Sequence, residues 1–368
     1  MYRHLQKCLY KGLCPKLSTK KDRIGMNNVI KKERLSNIEL LRLLAMFLVL
    51  VVHADFFSLS TPTQDDVIST PASAFLRFFF ESLSIVCVNV FVLISGWFGI
   101  RSNVKGFCNF IFQCLFFLVG IYIVMLIFGL TSLSAKGIAG CLVLLKWNWF
   151  IKAYMGLYIL SPILNAFVNN TEKKTFKNVL ISFFVFQTIY SWISDGAVFF
   201  ENGYSTISFI GLYLLARYTK IYLAAKNTPP LASFLSIYGI ITILLTLISF
   251  MSVRMGISVI SEKMFSYVNP MVIISALSLL LFFNGLKIKS KLVNWLAASS
   301  FAIFLLHTNP NLCESYFKKC VLWLYDGNDG ATCLWLILTF LLAVGMSAIL
   351  IDQIRKKLWR VIDERFFN

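Results

Sequence analysis

Long apolar runs recur along almost the whole chain, each about as long as a helix needs to cross a bilayer. A crossing helix takes about 20 mostly apolar residues. Ten stretches meet that measure, at about 38–57, 75–99, 107–130, 147–168, 176–194, 204–223, 231–252, 268–286, 292–308 and 331–351. The charged share is 14%, against about a quarter in soluble domains. The chain therefore reads as all-α, a polytopic integral membrane protein of about ten transmembrane helices. Nearly all of its length is taken up by those spans, so residues 1–37 are the one extramembrane segment of any size.

The net charge of +18 suggests a nucleic-acid partner until its distribution is read. With the N-terminus placed in the cytoplasm, 26 of the 35 Lys and Arg fall on the cytoplasmic side, six outside and three within spans. That asymmetry follows the positive-inside rule and suits an anionic inner leaflet. It argues for membrane lipid and against nucleic acid. It also places both termini inside, with a basic segment at 1–37, a membrane domain at 38–351 and a basic tail at 352–368. The opening segment has ten basic residues and no apolar core of signal-peptide length, so the first span is expected to act as an uncleaved anchor.

Arg42 and His53 lie eleven positions apart in the first apolar run. On a helix that spacing returns them to within roughly 20° of one face, about 16 Å apart along the axis. Ionisable groups at membrane depth point to function. The plainer reading is a snorkelling Arg and a His satisfied by a neighbouring helix. His53 can exchange a proton near neutral pH, deprotonate a hydroxyl or carry a transferred group. His307, in SSFAIFLLHTNP, is expected at a comparable depth.

Arg101 and Lys105, four apart, share a face at the start of the third run. They are either ordinary topology markers or a grip for a phosphorylated ligand. Arg77 and Glu81, also four apart, are expected to pair with each other. Asn89 is expected to bond another helix, and Ser95 and Gly96 suit close packing. In WNWFIKAYMGLYILSP, Trp147 and Trp149 read as interfacial aromatics, and Tyr154 and Tyr158 as candidates for a polar lining. Nine Cys include no CxxC pair; Cys313, Cys320 and Cys333 cluster near one outer loop, where a disulfide is possible. Three His and no carboxylate-rich helix argue against a metal site.

Five segments, NIELLRLLAMFLVLVVHA, VNVFVLISGWF, WFIKAYMGLYILSPILN, LYLLARYTK and SSFAIFLLHTNP, occur in the order found in the membrane-bound acyltransferase family 3. The chain resembles that family over roughly residues 36–351, and within it the branch that acylates cell-surface sugars. The resemblance implies a ten-helix integral membrane fold. An uncleaved anchor together with surface-sugar modification points to the cell membrane of a bacterium, and no bound cofactor is expected. The resemblance also implies an acyl-CoA donor, often acetyl-CoA, and a surface polysaccharide or lipid-linked oligosaccharide acceptor. His53 and Arg42 match the family's R-x10-H, which makes His53 the essential His and Arg42 the essential Arg of the first helix. Arg101 and Lys105 match a basic pair that in the family is often Arg at both places, and they would hold CoA. Trp149, Tyr154 and His307 would line the site. A polysaccharide polymerase or ligase would typically have a large Arg-rich outer loop, whereas the outer loops here are short and hold few cations. A sugar flippase would show paired broken helices in related halves, and none is apparent.

Overall fold

The computed structural model of the chain describes residues 34–142, 148–194, 197–224 and 229–367. Most of the basic N-terminal segment lies outside those residues, as do Lys146 and Trp147. Each of the ten apolar stretches falls on helix, and no strand occurs among the described residues. In chain order the helices are α1 Ser36–Phe57, α2 Gln64–Ser69, α3 Pro71–Phe98, α4 Val104–Ile127, α5 Ala135–Leu142, α6 Trp149–Asn170, α7 Lys173–Phe186 and α8 Thr206–Tyr218. Then follow α9 Leu231–Arg254, α10 Ser258–Met264, α11 Pro270–Gly285, α12 Lys291–His307, α13 Lys318–Asp326 and α14 Gly330–Phe366.

Six of these, α1, α3, α4, α6, α9 and α14, are long and apolar enough to cross a membrane. α11 and α12 are apolar but shorter. α7 and α8 each run on into a π-helical turn, Gln187–Ile193 and Thr219–Leu223. α14 is 37 residues long, or about 55 Å at 1.5 Å per residue, well beyond a hydrocarbon core of about 30 Å. The helix therefore runs beyond its apolar stretch into the basic tail, to Phe366.

Burial sorts centre from periphery. The most apolar windows of α1 and α3 are 50% and 72% buried within the protein, against 22% for α9 and for α14. The two central helices are those that carry the R-x10-H pair and the Arg77–Glu81 segment. α3 is broken at Ile85–Val86, between Pro71–Ser84 and Cys87–Phe98. Its second half packs on α8 at Gly96, where a Cβ would sit 2.5 Å from the backbone oxygen of Tyr213. Small residues permit such approaches between membrane helices. Because the obstacle is backbone, Gly96→Ala must push the helices apart. A loss of about 1–3 kcal/mol is expected, to be read as a lower thermal midpoint of the detergent-solubilised protein. An unchanged midpoint would contradict this packing.

The described cysteines, Cys313, Cys320 and Cys333 among them, are free thiols, so the outer-loop disulfide considered from sequence is not formed.

Candidate active site

At His53 the first helix changes its hydrogen bonding, from α over Ser36–Val52 to π over His53–Phe57. π turns within helices widen the backbone by one residue and often mark functional sites. Here the widened turn lets neighbouring residues serve two sides. Met46, Val49, His53 and Phe56 line a cavity of about 490 Å3, while Asp55 is turned toward α3.

His53 and His307, distant in sequence, meet at the end of α1 and α12. Their ring centroids are 4.9 Å apart and their planes 68° from parallel. His53 Nδ1 lies 2.9 Å from the carbonyl oxygen of Val49, and His307 Nδ1 lies 2.6 Å from that of Ile303. A carbonyl oxygen only accepts, so each ring carries its proton on Nδ1. His307 Nε2, 3.2 Å from His53 Nδ1, is then a lone pair that accepts from the same Nδ1–H. That leaves Nε2 of His53 as the basic nitrogen of the pair, on a half-buried ring that lines the cavity. The expected common depth of the two His residues holds, and the structure adds that they touch.

Arg77 does not pair with Glu81. Its Nε donates to Asp55 Oδ1 at 2.7 Å, and its Nη2 donates to the backbone oxygen of Ser60. The i, i+4 rule ranks Glu81 first within one helix, but the π turn of α1 presents a better-placed carboxylate from outside it. Glu81 is left 2% exposed against the cavity, with Oε2 accepting no hydrogen bond. The same cavity is lined by an aromatic cluster, with ring centroids of Trp149 and Tyr204 4.3 Å apart and of Tyr204 and Tyr267 5.3 Å apart. Trp149 thus lines the cavity, and Asn89 bonds the backbone oxygen of Tyr267 at 3.0 Å. Phe57 and Tyr204, 38% and 42% exposed, place the mouth of the cavity at the loop end of the bundle.

One turn beyond the cavity-lining Met46, Phe91 and Phe150 come Arg42, Ser95 and Tyr154. Tyr154 Oη and Ser95 Oγ are 3.2 Å apart, and Arg42 Nη1 lies 3.5 Å from Glu39 Oε2. Neither Arg42 nor Tyr154 borders the cavity itself; they belong to a polar layer beneath its aromatic floor. Farther on, the turn between α3 and α4 is clamped on several sides. Tyr158 Oη accepts from Asn103 N at 3.2 Å and donates to Asn103 O at 3.1 Å, and Asn165 Nδ2 donates to Ile100 O at 2.8 Å. Tyr213 Oη accepts from Ile100 N at 3.1 Å. Arg101 is exposed on this fixed turn. Lys105, one turn along α4, is engaged by Asp363 of α14 at 2.6 Å. Tyr158 is a clamp, then, and not part of a cavity wall.

Sequence reasoning missed the Asp55–Arg77 pair, the freed Glu81 and the rings of Tyr204 and Tyr267. Asp55 and Glu81 carried a usable signal, since each is a carboxylate inside an apolar run; the two Tyr carried none. A family model described as an acyltransferase domain, that of family 3, matches residues 35–352. No curated protein and no solved structure matches the chain.

Proposed function

The chain belongs to the family 3 acyltransferases, and from that premise we propose that it moves an acetyl group from cytoplasmic acetyl-CoA to a hydroxyl of a surface polysaccharide or lipid-linked oligosaccharide. It would do so in the plasma membrane of a bacterium. The observation that supports this most is the basic Nε2 of His53 at the cavity, with its Nδ1–H held by Val49 O and His307 Nε2.

In this reading His53 Nε2 takes the proton of the acceptor hydroxyl. The hydroxyl oxygen bonds to the acyl carbon, the C–S bond of the thioester breaks, and the departing thiolate takes the proton back from His53. The imidazolium formed on the way is stabilised through Nδ1–H, which keeps both of its acceptors. His307 is a positioning residue that shares His53 Nδ1–H with Val49 O, as the third member of a nucleophile–base–orienter set does. Arg42 lies about 16 Å down the helix from His53, too far to touch the reacting carbonyl. It serves the donor's path, beside Tyr154 and Ser95. Arg101, presented on its clamped turn, takes the CoA phosphates, and Lys105 contributes less because Asp363 holds it.

Mass comparison of surface polysaccharide from wild-type and deletion strains tests the function. The deletion strain should lack one acetyl per modified unit, and identical spectra would refute the assignment. The donor side has its own test. Arg101→Ala removes a charge-assisted phosphate contact and should raise the acetyl-CoA concentration for half-maximal rate about tenfold or more. An unchanged requirement would reduce Arg101 to a topology marker.

A further inference from the structure

Glu81 is a buried carboxylate inside a membrane-spanning helix, and neither half of that description comes cheaply. The one nearby cation on its own helix, Arg77, is engaged by Asp55 and Ser60. Its Oε2 is shut from solvent and accepts nothing from the protein. What Glu81 does face is the cavity that His53 also lines, with Trp149, Tyr204 and Tyr267 on the same wall. Buried polar groups are normally satisfied, so a carboxyl group without a protein partner on the cavity wall marks where a polar group of a ligand belongs. A carboxyl group offers acceptor oxygens and, when protonated, a donor as well, which suits a ligand rich in hydroxyls. Aromatic faces beside it suit the apolar C–H face of a sugar ring and offer rigid contact area. A volume of about 490 Å3 falls within the range of small-molecule sites and admits a ring of that size.

We propose that Glu81 is the acceptor-binding residue of this cavity. It holds a pyranoside by one or two hydroxyls, with the ring laid on the Trp149–Tyr204–Tyr267 cluster, so that a further hydroxyl reaches His53 Nε2. This rests on the acyl-transfer reading above and adds what that reading leaves open, the residue that recognises the acceptor. Glu81 is a specificity group and takes no proton in the transfer.

The test is steady-state kinetics of the full-length protein in lipid nanodiscs, with acetyl-CoA as donor and a panel of methyl hexopyranosides and methyl N-acetylhexosaminides as acceptors. Glu81→Gln keeps size and shape and replaces one carboxyl oxygen with an amide nitrogen. It should raise the glycoside concentration for half-maximal transfer about tenfold or more, with the acetyl-CoA requirement unchanged. Three results would overturn the proposal: an unchanged glycoside requirement, a shift in the acetyl-CoA requirement instead, or a fall in the maximal rate alone. A Glu81→Gln protein that no longer inserts makes the carboxylate structural and overturns it too. If the wild type releases CoA yet acetylates no glycoside, the sugar assignment is wrong. If it releases no CoA under any condition, the acyl-transfer reading itself fails and takes this proposal with it.

Discussion

His53→Asn should reach the membrane at the wild-type level and leave the surface sugar unacylated. Loss of a general base typically lowers the rate about 100- to 10,000-fold. Folding should suffer little, because Asn retains a polar contact at similar size beside Val49 O and His307. The companion variant separates the two rings. His307→Ala removes one acceptor from His53 Nδ1–H, while Val49 O still holds the tautomer. A net hydrogen bond is worth about 0.5–1.5 kcal/mol, so a loss of up to about tenfold is expected in the maximal rate, with the acetyl-CoA requirement unaltered. If His307→Ala is inactive and His53→Asn retains near-wild-type acylation, the base belongs on α12 and the proton assignment is reversed.

The largest effect on stability is expected at the other end of the bundle. Asp352, 0% exposed, accepts from Arg355 Nε at 2.8 Å and Nη2 at 3.2 Å, and from Gln113 of α4 at 3.2 Å. Arg355, 4% exposed, also donates to Asn109 Oδ1 at 3.0 Å. These contacts fasten α14 to α4 where α14 leaves the apolar region. Asp352→Ala strands a buried guanidinium without its counter-charge. Breaking a buried pair in this way costs about 3–5 kcal/mol. A clear fall in the thermal midpoint of the solubilised protein should follow. Lys105→Ala, which removes a more exposed pair with Asp363, should change stability by about 1 kcal/mol or less. Equal midpoints for the two variants would contradict this account of the α14–α4 joint.

Much of this architecture was legible because the bilayer leaves a sequence few choices. Each apolar run became helix, and the R-x10-H spacing did place His53 at the cavity with Arg42 farther along the same stripe. Where the reading failed, hydropathy or local spacing was asked to settle a question that other helices decide. Residues 352–366 lose their apolar character, so hydropathy is silent on their being helix. Yet Asp352, Arg355 and Lys356 recur at helical spacing, and Asn109 and Gln113, polar residues inside an apolar run, were waiting opposite. Arg77 and Glu81 sat at the spacing of a helical ion pair, and only the fold could bring Asp55 between them. The meeting of His53 with His307 likewise depends on how α1 and α12 cross, which no single segment encodes. Tyr204 and Tyr267 come from connections between helices, where side-chain direction is not fixed by periodicity.

The most direct test is release of CoA by the purified protein in proteoliposomes supplied with acetyl-CoA and an extract of the surface glycan. The wild type should release CoA in step with ester formed on the glycan, and His53→Asn should remain near the protein-free background. A wild-type protein that releases no CoA, or a His53→Asn protein that releases it at the wild-type rate, would contradict acyl transfer through this His pair.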